Sequence, residues 1–125
     1  MAQLREIVID ALRPAELACF WAAALDTYRV RGYDTGEIER LAAQGLTPET
    51  DPSVALDGNG PTIFFQRTAT LKTSRNRLHL DLETTARGHE VRRLEQLGAR
   101  VLDQHEGFTV MRDPEGNEFC LVGPI

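Results

Sequence analysis

Apolar and polar residues alternate along residues 4–11, with Ile7 and Ile9 on one side and Glu6, Val8 and Asp10 on the other. A period of two predicts a strand. From Pro14 to Leu25 the period lengthens. Leu17, Phe20, Trp21, Ala24 and Leu25 recur at spacings of three and four, the stripe of a helix packed on a sheet, and Pro14 suits its first turn. Residues 27–33 read as a second strand. Asp34 and Glu37 then form a capping box for a short helix over 37–44, which Gly45 ends. Prolines and polar residues mark 46–53 as a loop. Strands at 54–57 and 61–68 flank the turn Asp57-Gly58-Asn59-Gly60, and residues 69–76 carry no apolar period.

The second half repeats the plan. Residues 77–83 alternate, with Leu78, Leu80 and Leu82 on one face and Arg77, His79 and Asp81 on the other. A helix over 86–97 follows, with Thr85 as its cap, Val91, Leu94 and Leu97 as its inner stripe, and Gly98 just beyond. Strands at 100–103 and 108–112, the turn Asp113-Pro114-Glu115-Gly116 and a strand over 117–122 complete it. The order is therefore a duplicated βαβββ unit. Module one covers about 1–68, with the inserted helix inside the segment 34–53, and module two about 77–125. Each helix covers one sheet face, where Ile7, Ile9, Leu78, Leu80, Leu82, Phe119 and Leu121 should meet it. The other face gathers Glu6, Val8, Asp10, Phe64, Gln66, Arg77, His79, Asp81, Glu118, Cys120 and Val122. That face reads either as solvated or, if the sheets curl together, as the lining of a cleft.

Composition narrows the setting. The chain has 125 residues, a formal net charge of −5, 42% hydrophobic and 26% charged residues. That length suits one domain burying roughly two thirds of its unfolded surface. No apolar run approaches the ~18–20 residues of a membrane span. The start shows no secretory signal, and mild acidity without a basic face argues against nucleic acid. Cys19 and Cys120 lack metal-type spacing and read as reduced thiols, so a cytoplasmic protein is expected. Between Asp57 and Asp81 stand four cations, Arg67, Lys72, Arg75 and Arg77, and no acid, which hints at a small anionic ligand. Lys72 and Arg75 read as a solvated loop, whereas alternation puts Arg77 beside His79, where a guanidinium clamps a carboxylate or phosphate.

Three stretches carry a family resemblance. Asn76-Arg77-Leu78-His79-Leu80-Asp81-Leu82, Arg93-Leu94-Glu95-Gln96-Leu97-Gly98-Ala99, and the run from Asp113-Pro114-Glu115-Gly116-Asn117 through Glu118-Phe119-Cys120-Leu121-Val122 resemble the glyoxalase/bleomycin-resistance/dioxygenase (vicinal oxygen chelate) superfamily. They look like its glyoxalase-like subgroup. Ala18-Cys19-Phe20-Trp21 and the segment Phe64-Phe65-Gln66-Arg67 with Lys72 also match, so the likeness covers nearly the whole chain outside 34–53. The resemblance implies an α+β fold in which two βαβββ modules form a curved open barrel around a small-molecule pocket. It also implies a homodimer, and in enzymatic members a divalent metal held by residues from both modules.

Carried onto this chain, the metal positions fall on Glu6 (Val8 in the alternative alignment), Gln66, His79 and Cys120. Cys120 departs from the usual Glu, while Glu118 lies two residues earlier on the same side. A thiolate selects zinc or copper over magnesium, with zinc, nickel and manganese the metals to consider. His79 reads either as a sheet-ordering residue bonded to Asp81 or as a base or ligand. Asp81 and Asp10 occupy matching scaffold positions. Cys120 reads as a small buried side chain or a nucleophile, and Cys19 lies near the first helix's core stripe and carries no catalytic role. Phe20, Trp21 and Tyr33 belong to the core.

Two function classes follow. One is a lyase, isomerase or dioxygenase, with His79 and Glu118 (or Glu6) moving protons and Arg77, Gln66, Phe64 and Asp81 holding substrate. The other is a non-catalytic small-molecule or antibiotic binder needing no metal. A ligand-free dimerisation unit is a third reading.

Overall fold

The computed structural model describes every residue from Met1 to Ile125. It divides into two compact units, Met1–Leu71 and Lys72–Ile125.

The first unit runs β1 (Glu6–Ala11), α1 (Pro14–Ala24), β2 (Arg29–Val30), α2 (Thr35–Ala43), a 3-10 turn at Pro48–Thr50, β3 (Ser53–Asp57) and β4 (Thr62–Arg67). The second runs β5 (Leu80–Glu83), α3 (Arg87–Gln96), β6 (Arg100–Gln104), β7 (Phe108–Arg112) and β8 (Glu118–Val122). The strand orders are β1-β4-β3-β2 and β5-β8-β7-β6. In each sheet the first strand pairs parallel with the last, and the other pairings are antiparallel. Duplication is thus present in connectivity and strand direction. The strands form two four-stranded sheets, one in each unit.

Each core lies where sheet meets helix. Leu17, Ala18, Phe20 and Trp21 of α1 are buried with Leu56, Ile63 and Phe65, and Phe20 meets Trp21 edge-on at 5.3 Å. In the second unit Val91 and Leu94 of α3 are buried with Met111, Phe119 and Leu121. The capping box forms as the sequence predicts: the Asp34 carboxylate accepts from Glu37 N at 2.8 Å, and Glu37 accepts from Asp34 N. Yet α2 buries none of its residues. Tyr33 secures the insertion by donating its hydroxyl to Asp51 at 2.6 Å.

Several expectations need correction. The second strand shrinks from 27–33 to Arg29–Val30, because Thr27 takes φ 67° and bonds Asn59, out of the ladder. The strand expected over 77–83 begins only at Leu80. Glu118 receives the Asn76 N–H through its side chain, and the chain bends at 77–78, leaving Leu78 70% exposed rather than against the helix. Thr85 does not cap α3. Ala86 stands at that cap without a side-chain bond, Thr84 Oγ1 accepts from Ala86 N, and Arg87 N donates to Pro124 O. Leu97 leaves the inner stripe, since Gly98 at φ +112° turns the chain and buries Ala99 instead. Cys19 is exposed, facing away from its buried neighbours Ala18 and Phe20.

Candidate functional site

The side chains of β5, β7 and β8 sort by alternation. Thr109, Met111, Phe119 and Leu121 are buried on the α3 side, while Asp81, Phe108, Val110, Arg112, Cys120 and Val122 line a cavity of about 1060 Å³. The cavity's residues all belong to the second unit. A drug-sized ligand fits in such a volume. At β6 the register slips between Val101 and Asp103. This bulge brings both Leu102 and Asp103 to the cavity, whereas strict alternation would admit only one.

The parallel register sets Asp81 opposite Cys120. His79 Nδ1 lies 3.2 Å from Asp81 Oδ1. Ligand atoms of His79, Asp81 and Cys120 all lie within 4.8 Å of one another. Burial pushes the Cys120 thiol pKa up, and the charge and hydrogen bond of Asp81 add to the rise, with Arg75 opposing. A second pair stands in the same cavity: His105 Nε2 lies 3.0 Å from Asp103 Oδ2, and its ring stacks on Phe108 at 4.5 Å.

Glu118 is occupied structurally. Its Oε1 accepts from Lys72 Nζ at 2.9 Å and its Oε2 from Asn76 N at 3.1 Å, and Lys72 also reaches Ser74 O. Burial alone would raise its pKa, but Lys72 and the backbone donors outweigh that and hold it at about 2. Both oxygens therefore pin the segment 72–76 to β8. The next turn is similarly fixed: buried Asp113 accepts from Glu115 N and Asn117 N, and from Asn117 Nδ2. That explains the Asp-Pro-Glu-Gly-Asn spelling, because only an Asx side chain of this reach satisfies several amide donors within one turn.

The remaining candidates lie elsewhere. Arg77 sits exposed in the bend before β5 and does not line the cavity, whereas Lys72 and Arg75, expected in a solvated loop, do. Phe64, Gln66 and Glu6 belong to the first sheet. Phe64 is half-buried beneath the Arg31 guanidinium at 5.4 Å, and that guanidinium is itself held by Asp57 at 2.8 Å. Gln66 is exposed at the end of β4. The lining carries three formal cations (Lys72, Arg75 and Arg112) against four carboxylates (Asp81, Asp103, Glu115 and Glu118), so it is not a positive pocket.

Of the four metal positions, Glu6 and Gln66 belong to the first unit and His79 and Cys120 to the second. Register places Glu6 beside Thr62 and Gln66 beside Asp10. Four residues of strand separate the two levels by about 13 Å.

Among residues missed by sequence reasoning, Phe108, Val110 and Arg112 follow from simple alternation. His105 and Asp103 do not, because a bulge sets their facing.

Residues 6–122 match the glyoxalase-like domain family. Among solved structures, the chain is similar to the fosfomycin resistance protein FosX from Mesorhizobium loti, with TM-score 0.70 and 11% identity, covering 100% of this chain and 94% of that one. It is also similar to a glyoxalase family protein from Bacillus cereus, with TM-score 0.66 and 15% identity over 98% and 94% of the two chains. A bleomycin-binding protein complexed with bleomycin aligns at TM-score 0.53 and 12% identity, over 99% and 100%. No curated protein matches in sequence. At these identities the structural likenesses establish the fold, two four-stranded sheets with three helices of the glyoxalase/bleomycin-resistance type. The match over nearly its full length decides membership: the chain belongs to the glyoxalase-like domain family, within the vicinal oxygen chelate superfamily.

Proposed function

We propose that the protein binds a small organic molecule in the cavity of its second unit. The observation that carries this reading is the cavity itself: about 1060 Å³, with apolar Leu102, Phe108 and Val110 beside two histidine–carboxylate pairs. An apolar body would lie on the three apolar side chains, and hydroxyl or amino groups would bond the carboxylates and imidazoles. The balanced lining favours a polar, mixed-charge compound over the simple anion that the cation run suggested. Glu118 is held by Lys72 and Asn76, and the Cys120 thiol stays protonated. Neither is poised for chemistry, which supports binding without turnover, the role suggested by likeness to a bleomycin-binding protein. Calorimetry and thermal shift against bleomycin, fosfomycin and a panel of drug-like and acidic compounds should yield a stabiliser, and Val110→Trp, which projects an indole ring into the cavity, should weaken its binding. A blank panel, or binding indifferent to Val110→Trp, would overturn the reading.

A catalytic role rests on one feature, the His79–Asp81 pair. The carboxylate fixes one ring nitrogen and leaves the other available as a general base. Product formation lost in His79→Ala at concentrations that still saturate the cavity would establish a lyase, isomerase or dioxygenase-type activity. A homodimer and a cytoplasmic location accompany this proposal. Sedimentation equilibrium and fractionation test them.

A further inference from the structure

We infer that the second unit carries a further binding site, for a small apolar monocarboxylate, between α3 and the sheet at the buried guanidinium of Arg87. The site is a cavity of about 380 Å³ that shares no lining residue with the larger one. Thr109 forms part of its wall on the α3 side of β7, whereas Phe108 and Val110 turn the other way, into the larger cavity.

Arg87 is only 3% exposed, yet no carboxylate pairs with it. A cation buried without a counter-charge is costly, and a bound anion relieves that cost. Its side-chain bonds are confined to one nitrogen. Nη1 donates to His105 O at 2.9 Å and to Thr109 Oγ1 at 3.2 Å, two acceptors for its two hydrogens. Nε is buried and has no partner, and Nη2 makes no hydrogen bond either. Nε and Nη2 together form the edge by which a guanidinium holds a carboxylate through two parallel bonds.

The rest of the lining selects among anions. Val91, Val101 and Ile125 supply an apolar wall, and Arg92 adds a second cation at the exposed rim. Glu95, on the same rim, opposes a second negative charge. One carboxylate on a short apolar body therefore suits the site better than phosphate. The volume lies at the small end of ligand sites.

Calorimetry of the full chain with sodium isovalerate should find one saturable site per chain. Isovaleramide, of the same shape without the charge, should bind at least about 10-fold more weakly, and inorganic phosphate more weakly too. The Arg87 Nε–H resonance should shift along the isovalerate titration. Arg87→Lys keeps the charge but removes the fork, and should lower affinity at least about 10-fold. Gly88→Leu tests the site without touching Arg87: a Cβ there meets only Arg92 and Ile125 side-chain atoms, at 3.8 Å, so the leucine extends toward the lining and also replaces a helical glycine. It should weaken isovalerate binding while circular dichroism stays unchanged. Glu95→Gln should strengthen binding by about 2–5-fold, as expected of an exposed charge. Val110→Trp, in the larger cavity, should leave isovalerate binding unchanged, which separates this site from the organic ligand proposed above. Absence of saturable binding, equal binding of acid and amide, tighter binding of phosphate, indifference to Gly88→Leu, or loss of binding in folded Val110→Trp would overturn the assignment.

Discussion

Glu118 is a residue whose type suggests chemistry and whose surroundings suggest structure. Its pKa falls from an ordinary 4.5 to about 2 through Lys72, Asn76 N and its own backbone. A depressed carboxyl contributes stability that is complete above its unfolded pKa and is lost as pH falls through its folded pKa. Chemical denaturation of the metal-free protein should therefore show stability dropping between about pH 4.5 and pH 2. Glu118→Gln should flatten that slope and cost roughly 1–3 kcal/mol at neutral pH, since Lys72 would lose its charged partner. An unchanged slope in Glu118→Gln would refute the pinning role. Nothing in the residue string distinguishes this glutamate from a catalytic one. The distinction lies in Lys72, 46 positions away, and in a backbone amide that a bend presents to it.

Among the elements, β8 and the chain leaving it show how little clearance the second unit has. Gly123 takes φ 145°, and a Cβ there would stand 1.9 Å from the Thr84 carbonyl oxygen. Gly123→Ala should lower the melting temperature by several degrees or prevent folding, by backbone collision and by strain together. A wild-type melting temperature in this variant would contradict the described close approach. Helix α2 offers the opposite case. It buries nothing and depends on its capping box, so Asp34→Ala should weaken protection of its amides in hydrogen exchange by about 1 kcal/mol. Global stability should barely move. The capping box is legible because its partners are three residues apart. The shortening of two predicted strands is not, because Thr27 and Asn76 are drawn away by Asn59 and Glu118.

For the whole molecule, the two units share one connectivity but not one use of their sheets. Reading the chain as a single domain of two modules predicts that both melt together, because a unit of 54 residues alone is marginal. Phe65→Ala and Phe119→Ala, each removing a fully buried ring, should therefore lower one common calorimetric transition, by about 3–5 kcal/mol each. Two separate transitions, each moved by one variant only, would show independent units.

Periodicity by itself determined the duplicated βαβββ plan, because side-chain burial repeats every two residues in a strand and every three or four in a helix. Local motifs likewise announced the capping box, the turn at Asp113 and the family. What only tertiary structure decided is which polar residues share a cavity. Parallel pairing set Asp81 beside Cys120, a bulge turned Asp103 toward His105, and a bend moved Arg77 away while bringing Lys72 to Glu118. Those meetings depend on register and on chain path between residues far apart in sequence, and a slip of one residue reverses every side chain.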